Sequence, residues 1–257
     1  MTKFLAVVVS VILIISSYTA QAASKSTSIN LEPQVAVGAY MGLVEDHLAG
    51  VLRTVSVVAQ TSEAKSAKWE TVKPLLDRIS KDLPTGPTVW LALPDGSYYT
   101  VESGGLTDQT LMSRPYFSRL LGGQDVLGDL VISRSTHQRY AVVASPVIEN
   151  GKVVAVIGVS VKVHLLTALI ESKMKLPDKA YFYALDTDTK IILHRHLDRV
   201  FKMVENVGDE KLAEGFKSSM KKDEGVFNYT LNGKKMCSVF QKSKTLGWYF
   251  FIAQEKK

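Results

Sequence analysis

The sequence predicts an α+β fold: a long N-terminal helix followed by two units built on antiparallel sheets. Three observations predict it. Apolar residues recur at steps of three and four over residues 29–60, short β-rich runs joined by turn residues fill 88–161, and a second such group fills 180–253 beyond the break Leu176-Pro177-Asp178. Of the 257 residues 46% are hydrophobic and 22% charged, which is enough apolar material for a sizeable core and too little charge for a disordered chain.

Residues 1–22 read as a secretory signal peptide. Lys3 supplies the positive start, 4–15 is an apolar run broken only by Ser10, and Ala20-Gln21-Ala22 places small residues where signal peptidase cuts. The mature chain would start at Ala23 and be periplasmic or secreted. The alternative is a membrane anchor left uncleaved, but the run is shorter than the ~20 residues that span hydrocarbon. Cys237 is the single cysteine, so there is no internal disulfide and no CxxC metal or redox site. The net charge of +6 is scattered along the chain, which fits a solvated surface and argues against a nucleic-acid partner.

Residues 23–87 carry the helices. Met41, Val44, Leu48, Val51, Val55 and Val58 line one face of a long helix, with Leu52 and Val57 widening the stripe. It would pack along a domain or form the seam of a homodimer. A second helix is expected from Pro74, suited to a first turn, to Leu83, before the breaker Pro84-Thr85-Gly86-Pro87.

Residues 88–175 form the first sheet unit. Strands are expected over 88–93 and 98–102 around Pro94-Asp95-Gly96-Ser97, then a helix after Arg114-Pro115-Tyr116-Phe117, a strand over 127–134, and a hairpin of 140–148 with 152–161 around Asn150-Gly151. A helix over 164–172 closes the unit. Residues 176–257 repeat the element order without obvious sequence identity: strands 180–185 and 190–194, a helix over 209–220, then strands 225–231, 234–241 and 248–253.

Several segments together resemble the double Cache sensor domains of bacterial and archaeal receptors. They are the long helix, Asp95-Gly96, Arg114-Pro115-Tyr116-Phe117, the run from Gly128 to Thr136, Ala144-Ser145-Pro146-Val147, the run from Gly151 to Ser160, and the closing Gly225-Val226-Phe227-Asn228-Tyr229 and Gly247-Trp248-Tyr249-Phe250. The order of these segments is the specific feature. The resemblance implies two PAS-like modules on one long helix, with a small molecule bound in the first, membrane-distal one. The sequence shows no second apolar span before Lys257, so the expected form is a free-standing exported sensor that passes its signal to a membrane receptor or kinase partner.

In amino-acid-binding members an Arg-x-aromatic-aromatic run helps hold the ligand carboxylate. Arg114, Tyr116 and Phe117 match it, and an arginine beside aromatic walls suits a small carboxylate. The acidic residues that would hold an ammonium are replaced by Ser133 and Ser160. Ordinary α-amino acids are therefore disfavoured against a carboxylate or a neutral polar solute. Counting back from the Asn150-Gly151 turn as a two-residue hairpin puts Ser160 opposite Ala141 and on the face of Ser145. Ser133 and Ser135 would point one way, and Trp90 and Tyr99 would supply walls.

Enzyme chemistry is not expected. Ser145 lacks a GxSxG elbow, His194 and His196 lack further metal ligands, and Asp186, Asp188 and Lys190 start a calcium-loop pattern that is never completed. No cofactor or metal is called for. The competing reading is a protein-interaction module with no small ligand of its own.

Overall fold

A computed structural model describes residues 32–256 apart from Ser135 and Asp178. The signal segment assigned to 1–22 lies outside the described residues, and so does Ser135. Helix α1 (Pro33–Ala59) opens with a proline in its first turn and buries Val37, Tyr40, Val44, Leu48, Val51, Val55 and Ala59, again at steps of three and four. The stripe is narrower than the sequence suggests: Met41, Leu52 and Val58 are half-buried and Val57 is 67% exposed.

A one-turn helix, α2 (Ser62–Lys65), is capped by Thr61 Oγ1, which accepts the Ala64 N–H at 3.2 Å. Helix α3 (Trp69–Asp82) starts five residues before the expected Pro74 and carries that proline inside it. An interior proline costs about 3 kcal/mol. The stripe of Trp69, Val72, Leu76 and Ile79 offsets this, because burying one large apolar side chain contributes about 1.5–3 kcal/mol.

The first sheet contains β1 (Thr88–Ala92), β2 (Ser97–Thr100), β3 (Gly105–Thr110), β4 (Val126–Ile132), β5 (Arg139–Glu149) and β6 (Lys152–Lys162) in the order β3-β2-β1-β6-β5-β4, all antiparallel. Strand β3 was not expected, because Gly105-Leu106-Thr107-Asp108-Gln109-Thr110 is polar and glycine-led and reads as loop. Helix α4 (Pro115–Leu121) covers one face of this sheet, and α5 (Val163–Lys173) follows β6. The second sheet contains β7 (Ala180–Leu185), β8 (Ile191–His194), β9 (Glu224–Leu231), β10 (Lys234–Lys242) and β11 (Tyr249–Glu255) in the order β8-β7-β11-β10-β9. Helix α6 (Glu210–Ser219), capped by Asp209 at the Leu212 N–H (2.7 Å), packs on its far face through Leu212, Ala213 and Phe216. The turn before β8 is closed by Asp186 Oδ1, which accepts the N–H groups of Asp188 and Lys190.

The two sheets share a topology, a hairpin whose inner strand pairs with the last strand of the module. They also share a core. The inner-face residues Ala141, Val143, Ile157 and Val159 of the first sheet and Phe182, Ala184, Phe250 and Ile252 of the second join the stripes of α1 and α3 in one cluster. Tyr40 of α1 lies on Phe182 and Phe250, at ring distances of 4.8 and 5.0 Å. Ser243, beyond β10, donates to Glu45 of α1 at 2.5 Å.

The β5–β6 hairpin turns at Asn150 and Gly151, both with positive φ, as a tight hairpin requires. Its register departs from the simple count. Glu149 pairs with Lys152 and Ile148 with Val153, but Val147 pairs with Ala155, so Val154 is an extra, bulged residue. Ser160 therefore sits opposite Val142, not Ala141, and Ser145 sits opposite Ile157 on the other face. A one-residue shift moves each side chain to the opposite face of a sheet.

Candidate functional site

The face of the first sheet turned away from α1 is only partly covered by α4. Between the remainder of that face, β3 and the chain around Arg134 lies a cavity of about 610 Å³. Its floor is a close fit of two residues. Trp90 on β1 pairs with Gly158 on β6, and the indole lies across the glycine, where a Cβ would be only 2.0 Å from Cζ2. Trp90 Nε1–H donates to Ser160 Oγ at 3.1 Å, so a side chain 97% buried still has its polar atom satisfied at the cavity floor.

Arg114 and Tyr116 enter from the start of α4. Pro115 occupies the first helical position and leaves Arg114 extended just outside it, aimed at the cavity. One Arg114 N–H group, on Nη2, donates to the Ile132 carbonyl at 3.1 Å. A guanidinium has five such donors, so the same residue can tie the loop to β4 and still present donors to a ligand. Burial, partly countered by Arg114, pushes the Tyr116 hydroxyl above its ordinary range, which keeps it a neutral donor and acceptor. Arg134 donates to Ser113 at 2.6 Å and adds a second cation to the wall.

Trp90, Arg114, Tyr116, Ser133 and Ser160 thus share one cavity. Three other residues grouped with them from the sequence stand elsewhere. Tyr99 points to the α1 side of the sheet and stacks on Trp69 at 5.3 Å, because it alternates with the cavity-lining Tyr98 and Thr100. Phe117 is 1% exposed in the cluster beneath α4 with Leu120, Val126 and Ala144. Ser145 is turned over by the Val154 bulge and lines a separate 310 Å³ hollow with Ser56, Gln60, Lys65 and Asp125.

The Cache domain family model matches residues 18–257. The chain belongs to the double Cache family. Among its relatives, the methyl-accepting chemotaxis protein PctB of Pseudomonas aeruginosa is 24% identical over 221 residues, or 83% of this chain. The chain spans 33% of that relative's length. Solved structures similar to it include the PctB ligand-binding domain in complex with L-Arg (TM-score 0.69, 21% identity, covering 87% of this chain and 94% of that one). The ligand-binding domain of the Pseudomonas fluorescens chemoreceptor CtaA with L-alanine (0.68, 18%, 87% and 96%) and the sensory domain of Campylobacter jejuni Tlp3 with isoleucine (0.64, 16%, 87% and 91%) share the same fold.

In this double Cache chain the cavity also has residues that sequence reasoning missed. Thr100, Glu102, Asp108 and Gln109 line it from the end of β2, the turn after it and β3. Glu102 accepts from Thr88 Oγ1 at 2.8 Å and lies 3.8 Å from Lys162, whereas Asp108 accepts from Gln109 Nε2 at 3.4 Å. The lining thus has Arg114 and Arg134 beside Glu102 and Asp108. The one sequence signal that could have found Thr100 is its alternation with Tyr99 on β2.

Proposed function

We propose that this chain is the sensing domain of an exported signalling protein, and that the first module's cavity binds a small solute through a carboxylate on Arg114. The observation that carries this reading is a guanidinium with unused donors beside Tyr116 and Trp90 in a 610 Å³ cavity. A cavity of this size, with the rings of Trp90, Tyr98, Tyr116 and Tyr140 set among many hydroxyl, amide and charged side chains, suits a polar ligand of amino-acid size or larger. Module limits at 88–175 and 176–257, export after cleavage near Ala23 and a membrane receptor or kinase partner belong to the same proposal, as does a homodimer through α1.

The favoured solute is a carboxylate without an ammonium, or a neutral polar solute, because Ser133 and Ser160 carry no charge. Glu102 and Asp108 favour a second reading, an α-amino acid lying across the cavity with its ammonium toward β3. The amino acids named with PctB, CtaA and Tlp3 favour it as well. Thermal unfolding against matched panels of carboxylates and amino acids tests both. A ligand at about 100 times its Kd stabilises by roughly 2.7 kcal/mol. Arg114→Ala should abolish the shift with the fold retained, and Asp108→Asn should abolish it only for ligands with an ammonium. Full ligand stabilisation in Arg114→Ala would overturn the proposal.

A further inference from the structure

The cavity of the first module carries more positive charge than one carboxylate uses. Arg114, just ahead of α4, reaches across to β4 and donates from Nη2 to the Ile132 carbonyl at 3.1 Å. Arg134, just beyond β4, reaches back and donates from its own Nη2 to Ser113 Oγ at 2.6 Å. Each arginine is thus tied to the segment that carries the other, since Ser113 adjoins Arg114 and Ile132 ends the strand that leads to Arg134. The crossed ties hold two guanidiniums close together in the wall of one cavity.

Neither arginine makes an ion pair among the described residues. On the same sheet Asp129 pairs with Arg119, and Glu102 lies nearest Lys162. Like charges held close repel, and an anion beside both turns that cost into attraction. An unused phenol stands with them. Tyr116 is 4% exposed and lines the cavity, and its hydroxyl makes no hydrogen bond among the described residues. Burial raises the pKa of this hydroxyl while Arg114 and Arg134 both pull against the rise, so both guanidiniums stand near it. A buried hydroxyl without a partner is unfavourable, and a ligand atom in the cavity would relieve it.

Resting on the reading that Arg114 holds a carboxylate, we propose that the first cavity selects solutes with two carboxylates, the second of which accepts from Arg134 and the Tyr116 hydroxyl. A guanidinium tied through Nη2 still has N–H groups on Nη1 and Nε for a carboxylate. Two planar forks tied at different points suit two planar carboxylates better than one tetrahedral dianion. Plain diacids such as succinate and acidic amino acids such as glutamate share this chemistry. Asp108 on β3 separates them, because it would pair only with an ammonium.

The test is calorimetric titration of the full chain with each diacid and its half-amide: succinate with succinamate, L-aspartate with L-asparagine, L-glutamate with L-glutamine. The half-amide keeps the size and one carboxylate and loses the second charge. At least one diacid should bind about tenfold or more tightly than its half-amide. Arg134→Gln should cut that ratio to about threefold or less with the half-amide's affinity near its parental value. Asp108→Asn should weaken the amino acids and leave succinate unchanged. The second-carboxylate site is overturned if no diacid binds, if every pair binds equally, if the ratio survives Arg134→Gln, or if inorganic phosphate binds as tightly as the diacid. Each of these outcomes leaves the Arg114 reading to be decided separately, by whether Arg114→Ala loses its ligand stabilisation.

Discussion

In Gly158→Ala the new methyl would lie 2.0 Å from Trp90 Cζ2 and 2.3 Å from Cε2 and Cη2, far inside contact distance. Strand β6 is bonded on both sides, to β1 and β5, so the backbone cannot retreat and the indole must swing out of its seat. Re-exposing about half of the roughly 200 Å² that a buried indole covers costs about 2.5 kcal/mol at ~25 cal/mol/Å². The broken bond to Ser160 adds about 1 kcal/mol. The expected loss is therefore about 3–4 kcal/mol, read as a lower urea midpoint at constant slope. Trp90→Leu removes the clashing ring, so the double variant should be more stable than the sum of the singles by more than ~1 kcal/mol. Superimposable unfolding curves for Gly158→Ala and the parent, or strictly additive effects, would refute the seat as described.

Deleting Val154 removes the bulge and turns either Ser160 or the segment nearer the turn to the opposite face. Ligand binding in the first cavity should be lost and the unfolding temperature should drop, and a deletion variant with unchanged ligand affinity would contradict the register. His194 should make stability pH-dependent in a defined direction. Its folded pKa of about 3 lies below the ordinary 6.5, so the unfolded chain takes up a proton that the fold refuses. Its contribution is complete above pH 6.5 and is lost on acidification through that window, at up to about 1.4 kcal/mol per pH unit. His194→Asn should flatten that part of the profile relative to the parent, as measured by denaturant unfolding between pH 4 and 8.

The sequence was most informative where local chemistry decides the structure. Asn150-Gly151 and Asn232-Gly233 mark hairpins because those positions need positive φ, which all four residues adopt. The helical stripe of α1 was legible from spacing alone. Two features were not. The Val154 bulge leaves no mark, since Val153, Val154 and Ala155 are equally apolar and only the packing on the two faces chooses which is extra. That single residue decides that Ser145 leaves the cavity. Strand β3 was missed because an edge strand over a cavity has no buried face to reveal a period of two, and Asp108 and Gln109 were missed with it. Arg114 was legible through the Arg-Pro-Tyr-Phe run.

Helix α1 is shared between the two modules: it packs on β5 and β6 of one sheet and on β10 and β11 of the other. At 27 residues it is about 40 Å long, a single beam under two storeys. Because Tyr40 and Glu45 fasten one part of the beam to the second sheet and Val51 and Val55 bear on the shared core, the joint has little slack. The Trp90–Gly158 floor is separated from this beam by no more than the thickness of one sheet, because the opposite face of β5 and β6 packs on the helix.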